Sequence, residues 1–95
     1  MPTDEQIAKI LYWVMLAAPT PREVRDAFDE VFNLDDWIAV TGRRNPAIRC
    51  LVWQHNPVLR KGVTQFAASE EATWYVTELG VAWLKAYEER QHDTE

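Results

Sequence analysis

Thr73-Trp74-Tyr75-Val76-Thr77-Glu78-Leu79-Gly80-Val81-Ala82-Trp83-Leu84 changes period in its middle, and that change decides the fold. Thr73 to Thr77 is a run of β-branched and aromatic residues, the composition of a short strand. From Glu78 onward Leu79, Ala82, Trp83, Ala86 and Tyr87 fall on one side of a helix. Upstream, Val63-Thr64-Gln65-Phe66 is a second short β-type stretch, separated from the first by a polar hinge at Ser69-Glu70-Glu71. The two predict a hairpin, although no Asn-Gly or Asp-Gly turn sets its register.

The N-terminal half reads as helices. Thr3-Asp4-Glu5-Gln6 is a capping box, in which the Thr hydroxyl and the Gln amide satisfy free backbone N–H groups. Ile7, Ile10, Leu11, Val14 and Met15 then recur at helical spacing, to about Ala18. Pro19-Thr20-Pro21 ends this helix and starts another, with Thr20 as N-cap, Pro21 in the first turn and Glu23 near the positive helix end. Val24, Ala27, Phe28 and Val31 form its inner face. Asn33 to Thr41 fits either a short helix or an extended piece. After Gly42, Asn45-Pro46 reads as an N-cap and first helical residue, predicting a third helix from about Pro46 to His55 that stops at Asn56-Pro57. The expected class is mainly α with a small β-hairpin: three helices, two strands and a closing helix. Residues 1–88 form one domain, since neither half could build its own core, and the acidic tail 89–95 is expected to fray.

This order, and the run Trp74-Tyr75-Val76-Thr77-Glu78-Leu79-Gly80 through Leu84, resembles the winged helix-turn-helix domain. Regulators of the PadR and MarR types leave the wing through such an aromatic–aliphatic–Thr-x-x-Gly-x-x-x-Leu run, as do the winged-helix domains attached to Mrr-like restriction endonucleases. In that pattern the Thr caps the helix, the Gly lets it pass close to its neighbour, and the Leu re-enters the core. Arg44-Asn45-Pro46-Ala47-Ile48-Arg49 through Leu59-Arg60-Lys61-Gly62-Val63 is similar to a recognition helix followed by a basic approach to the wing. The resemblance implies DNA binding, with helix three in the major groove and phosphates gripped at its start and along the wing.

Charge is distributed unevenly along the chain. The stretch Trp37 to Ser69 holds Arg43, Arg44, Arg49, Arg60 and Lys61 and no Asp or Glu, a charge of +5. The remainder holds five bases and all fifteen acids, −10, and the two sum to the net −5. Such asymmetry fits either one face for a polyanion or chance clustering on a solvated surface. No apolar run approaches the roughly 20 residues of a membrane span. Asp4-Glu5 has the wrong sign for the start of a signal peptide, so a cytoplasmic location is expected. The single cysteine, Cys50, sits among Ile48, Leu51 and Val52 and reads as a small buried residue. No metal-binding pair, nucleotide loop or nucleophile–base set stands out, so neither enzyme activity nor a cofactor is expected.

The candidate DNA-binding residues are Arg43, Arg44, Asn45, Arg49, Trp53, Gln54, Arg60, Lys61, Thr64 and Gln65. Arg43 and Arg44 precede a helix N-terminus that already favours an anion, and Arg49 and Gln54 carry donors that can discriminate bases. Trp53 fits a reading face or a packed position under the hairpin, and His55 fits a base contact or a hydrogen-bonded core site. Glu70 and Glu71 depart from a basic wing tip. The last helix has more apolar positions than one stripe needs, so Leu79, Trp83 and Tyr87 are candidates for a homodimer interface, unless the first helix covers that side. The competing functional reading is a protein-interaction module, such as a phage-type inhibitor of a host nucleic-acid enzyme.

Overall fold

A computed structural model describes residues 2–42, 50–55 and 72–93. In chain order they form α1 (Asp4–Ala17), α2 (Pro21–Ala27), α3 (Leu34–Thr41), β1 (Val52–His55), β2 (Thr73–Val76) and α4 (Glu78–Asp93). The architecture is mainly α with a two-stranded antiparallel hairpin, as the sequence predicts.

Local chemistry accounts for the helix boundaries. Thr3 Oγ1 accepts from the Gln6 N–H and the Gln6 side chain accepts from the Thr3 N–H, closing the predicted box. Thr20 and Glu23 build the same device at α2, with Pro21 in the first turn. α1 ends at Ala18, which adopts a left-handed conformation with φ 42° and donates its N–H to Val14 O. The undecided segment is helical: Asn33 caps α3 by accepting from the Asp36 N–H at 2.9 Å. Between α2 and α3 the chain reverses through Asp29 at φ 68°, whose N–H donates to Phe32 O.

α1 is the central element of the core. Ile7, Ala8, Ile10, Leu11 and Val14 are buried along one side, while Met15 lies exposed outside that stripe. Each fully buried Ile or Leu contributes about 1.5–3 kcal/mol by leaving water. Val24, Ala27, Phe32, Trp37, Val40, Leu51, Val52 and Leu84 complete the cluster. An aromatic chain crosses it: Phe28 meets Phe32 edge-on, Phe32 stacks on Trp37 at 5.2 Å, and Trp37 meets Trp74 at 5.1 Å.

The predicted third helix requires correction, and the described hairpin joins residues other than those expected. Val52 to His55 is strand β1, and it pairs with Thr73–Val76 in the register Val52↔Val76, Trp53↔Tyr75, Gln54↔Trp74 and His55↔Thr73. Thr73–Val76 is a strand as expected, but with a different partner. Residues 63–66, the expected partner, lie outside the described residues, as do 46–49 at the start of the predicted helix. The physical reason is tertiary. Along β1 Val52 is buried, Trp53 exposed, Gln54 half-buried and His55 exposed, whereas a helix with Val52 inward would also have turned His55, three residues on, toward the core. At the C-terminus α4 continues to Asp93, beyond the expected start of fraying. Tyr12 Oη donates to Glu88, and Arg90 pairs with Asp4 at 3.2 Å, so two contacts tie its second half to α1.

Candidate nucleic-acid interface

The junction between β2 and α4 positions everything near the sheet. Thr77 Oγ1 donates to Cys50 O at 2.6 Å, and the Thr77 N–H donates to Leu51 O at 3.0 Å. The same hydroxyl accepts from the Gly80 N–H at 3.1 Å, capping α4. Gly80 is buried against Leu51, and Leu84 returns to the core at 4% exposure. The Thr, Gly and Leu of the run quoted at the outset therefore act in the three ways expected of them. Cys50 itself is half-buried and left-handed, with φ 64°, and so makes the sharp turn into β1.

β1 is anchored at both ends. Leu51 N–H donates to Val40 O at 3.1 Å, which joins the end of α3 to the start of the strand. Segment 43–49 therefore leaves and returns at one place. At the other end His55 pairs with Thr73, which brings the two ends of segment 56–71 together. A strand of four residues is about 10 Å from first to last Cα. Segment 43–49, which carries Arg43, Arg44 and Arg49, thus links the end of α3 to the start of β1, and segment 56–71, which carries Arg60 and Lys61, links the end of β1 to β2.

The sheet has two unlike faces. Val52, Gln54, Trp74 and Val76 point inward, and the Trp74 N–H donates to Pro19 O at 2.9 Å. The indole Nε1 of Trp74 is buried with no hydrogen-bond partner among the described residues. Trp53, His55, Thr73 and Tyr75 point the other way. Trp53 and Tyr75 sit directly across from each other at 43% and 45% exposure, and neither ring pairs with another described aromatic. None of these four outward residues carries a carboxylate.

Of the candidate residues, only Trp53 and Gln54 fall in the described structure, and they point to opposite sides of β1. The single reading face that a helix would give them does not exist. His55, for which a core position was one reading, is exposed. Arg43, Arg44, Asn45, Arg49, Arg60, Lys61, Thr64 and Gln65 lie outside the described residues. Of the dimer candidates, Leu79 is 64% exposed, whereas Trp83 and Tyr87 stack on each other at 5.5 Å and pack against the core. Tyr75 and Thr73 were missed as outward-facing residues. Alternation within Thr73–Val76 could have separated Trp74 from Tyr75, but nothing local identifies Trp53 as the residue opposite.

α3 presents no binding chemistry to solvent. Its exposed positions are Leu34 and Asp35, and its first turn carries Asp35 and Asp36, the latter buried. Across the described residues the only bases are Lys9, Arg22, Arg25, Lys85 and Arg90, set among many carboxylates. No described helix is long and apolar enough to cross a membrane. Comparison with known proteins adds no relative: no family model, curated protein or solved structure matches this chain.

Proposed function

We propose that the chain is a small DNA-binding protein, a regulator or accessory factor, that grips phosphates with Arg43, Arg44, Arg49, Arg60 and Lys61. The observation that carries this reading is the attachment of both basic segments to the ends of β1. Covalent reach alone keeps Arg49 within about 14 Å of Trp53 and Arg60 within about 18 Å of His55. The element order supports a winged-helix arrangement in which α2 and α3 are the paired helices and β1 and β2 flank the wing. That moves the third helix from residues 46–55 to Leu34–Thr41. Its acidic first turn disfavours insertion beside phosphates, so affinity falls to the basic segments.

The test is the salt dependence of duplex binding. If all five cations meet phosphates, log K falls against log salt with a slope of about −4.5. Changing Arg43→Ala and Arg44→Ala together lowers affinity for all sequences alike. A slope near zero, or no binding of DNA in any form at low salt, removes the reading.

A second reading draws on the exposed Leu79 and Val81 of α4. Apolar side chains in water there favour a protein contact, either a second copy of the chain or a different partner. A self-contact predicts a concentration-dependent mass in light scattering that Leu79→Arg abolishes. A monomer in which the arginine pair is dispensable and Leu79 essential would favour a foreign protein partner.

A further inference from the structure

We infer that the outer face of the β1–β2 sheet is a stacking platform for unpaired bases, so that single-stranded DNA is preferred over regular duplex. The inference rests on the DNA-binding reading and names the form of nucleic acid that the same site takes. Three observations lead to it. The third helix offers Leu34 and Asp35 where groove recognition needs amide or guanidinium donors, so it is poorly suited to reading a closed duplex. The sheet, by contrast, holds two aromatic residues in register: Trp53 and Tyr75 lie opposite each other, about half exposed, and neither ring packs on another aromatic ring among the described residues. Finally, the outward residues Trp53, His55, Thr73 and Tyr75 include no carboxylate, although the chain carries fifteen acidic residues.

The backbone geometry makes the platform rigid. The Trp74 N–H turns away from β1 to Pro19 O, and the Thr77 N–H bonds Leu51 O. By alternation, Trp53 and Tyr75 form the hydrogen-bonded pair between these positions, with Cα atoms about 5.5 Å apart. A cross-strand aromatic pair also stabilises a sheet. Here, however, the buried side of the hairpin already supplies the packing, through Val52, Trp74 and Val76. Bases splayed from a single strand stack on such rings whatever their sequence, while the cations that the proposed function assigns to phosphates hold the backbone. A regular duplex keeps its bases stacked inside and gives the rings nothing to contact.

The experiment compares binding of a dye-labelled oligothymidylate of about twenty nucleotides with a mixed duplex of similar length, across a salt series. The wild-type chain should bind the single strand more tightly, with quenched tryptophan emission. Trp53→Val and Tyr75→Val, which keep a strand-forming residue but lose the ring, should each weaken single-strand binding roughly 5- to 150-fold. Duplex affinity and the salt slope should stay unchanged. Trp53→Phe should retain most of the affinity while losing the emission change, and circular dichroism should show each variant folded. Equal or tighter duplex binding overturns the inference, as does unchanged single-strand affinity in both valine variants. In either case an effect of the Arg43/Arg44 double change on DNA binding leaves the broader reading standing. Failure to bind either DNA overturns both.

Discussion

Gly80 packs on the backbone of Leu51 so closely that a Cβ on it would overlap the Leu51 carbonyl oxygen and stand 2.5 Å from Val76 Cγ1. The first turn of α4 therefore lies directly on the start of β1, with Thr77 bonded to the same short stretch of backbone. One helix turn, one strand end and one turn residue, Cys50, are locked together. The orientation of Trp53, three residues after Cys50, follows from that lock.

Gly80→Ala should destabilise the fold by about 2 kcal/mol. Alanine gains about 1 kcal/mol of helix propensity, but the added methyl meets a carbonyl that no rotamer change can move. Urea denaturation at constant m-value measures the difference. A higher midpoint for the variant would contradict the close approach.

Thr77→Val keeps the shape of the side chain and removes its hydroxyl, which caps Gly80 and donates to Cys50 O. The expected loss is about 1–2 kcal/mol. Thr77→Ser retains the oxygen and should lose less than half as much. Equal losses for the two variants would show that the methyl group, not the hydroxyl, holds the junction.

Ala18→Gly should raise stability by about 1 kcal/mol. Ala18 is exposed and left-handed, a conformation that strains any residue with a Cβ and that glycine adopts freely. The gain is offset in part by the extra freedom of glycine in the unfolded chain. Thermal denaturation of the pair decides it, and a lower midpoint for the glycine variant counts against the left-handed cap.

Alkaline pH should weaken the α1–α4 contact. The hydrogen bond to Glu88, with smaller contributions from desolvation and the Glu88 charge, raises the Tyr12 phenol above its ordinary 10.0. The folded state thus holds this proton more tightly than the unfolded chain. Its contribution is complete below about pH 10 and is lost as pH rises through the higher folded value. Tyr12→Phe should remove that part of the alkaline decline, seen as a stability difference between the two proteins that shrinks above pH 10. A difference that stays constant with pH would mean that the phenol proton plays no part.

How much of the molecule could be read in the sequence depended on the range of the interaction. Thr3 with Gln6 and Thr20 with Glu23 act within one helical turn, so the residues that cause each structure stand beside it. The same holds for Thr77 and Gly80, whereas the segment from Asn33 to Thr41 reads in sequence as either helix or extended chain. The segment around Trp53 is different. Ile48, Leu51, Val52 and His55 fall on one side of a helical wheel, and that spacing argued for a helix through His55. The pairing with Thr73–Val76 and the bonds from Leu51 to Val40 and Thr77 depend on residues 11 to 26 positions away, and these make the segment a strand.

Composition and local spacing by themselves determined the class of the protein, the starts of α1 and α2, the strand-to-helix junction at Thr77 and the separation of basic from acidic sequence. These follow from backbone hydrogen bonding and side-chain chemistry within a few residues. Only the tertiary structure decided which strand lies beside Thr73–Val76, and therefore that Trp53 and Tyr75 share an outward face. Pairing between distant strands is selected by which side chains the assembled core can bury, and no local stretch of chain contains that information.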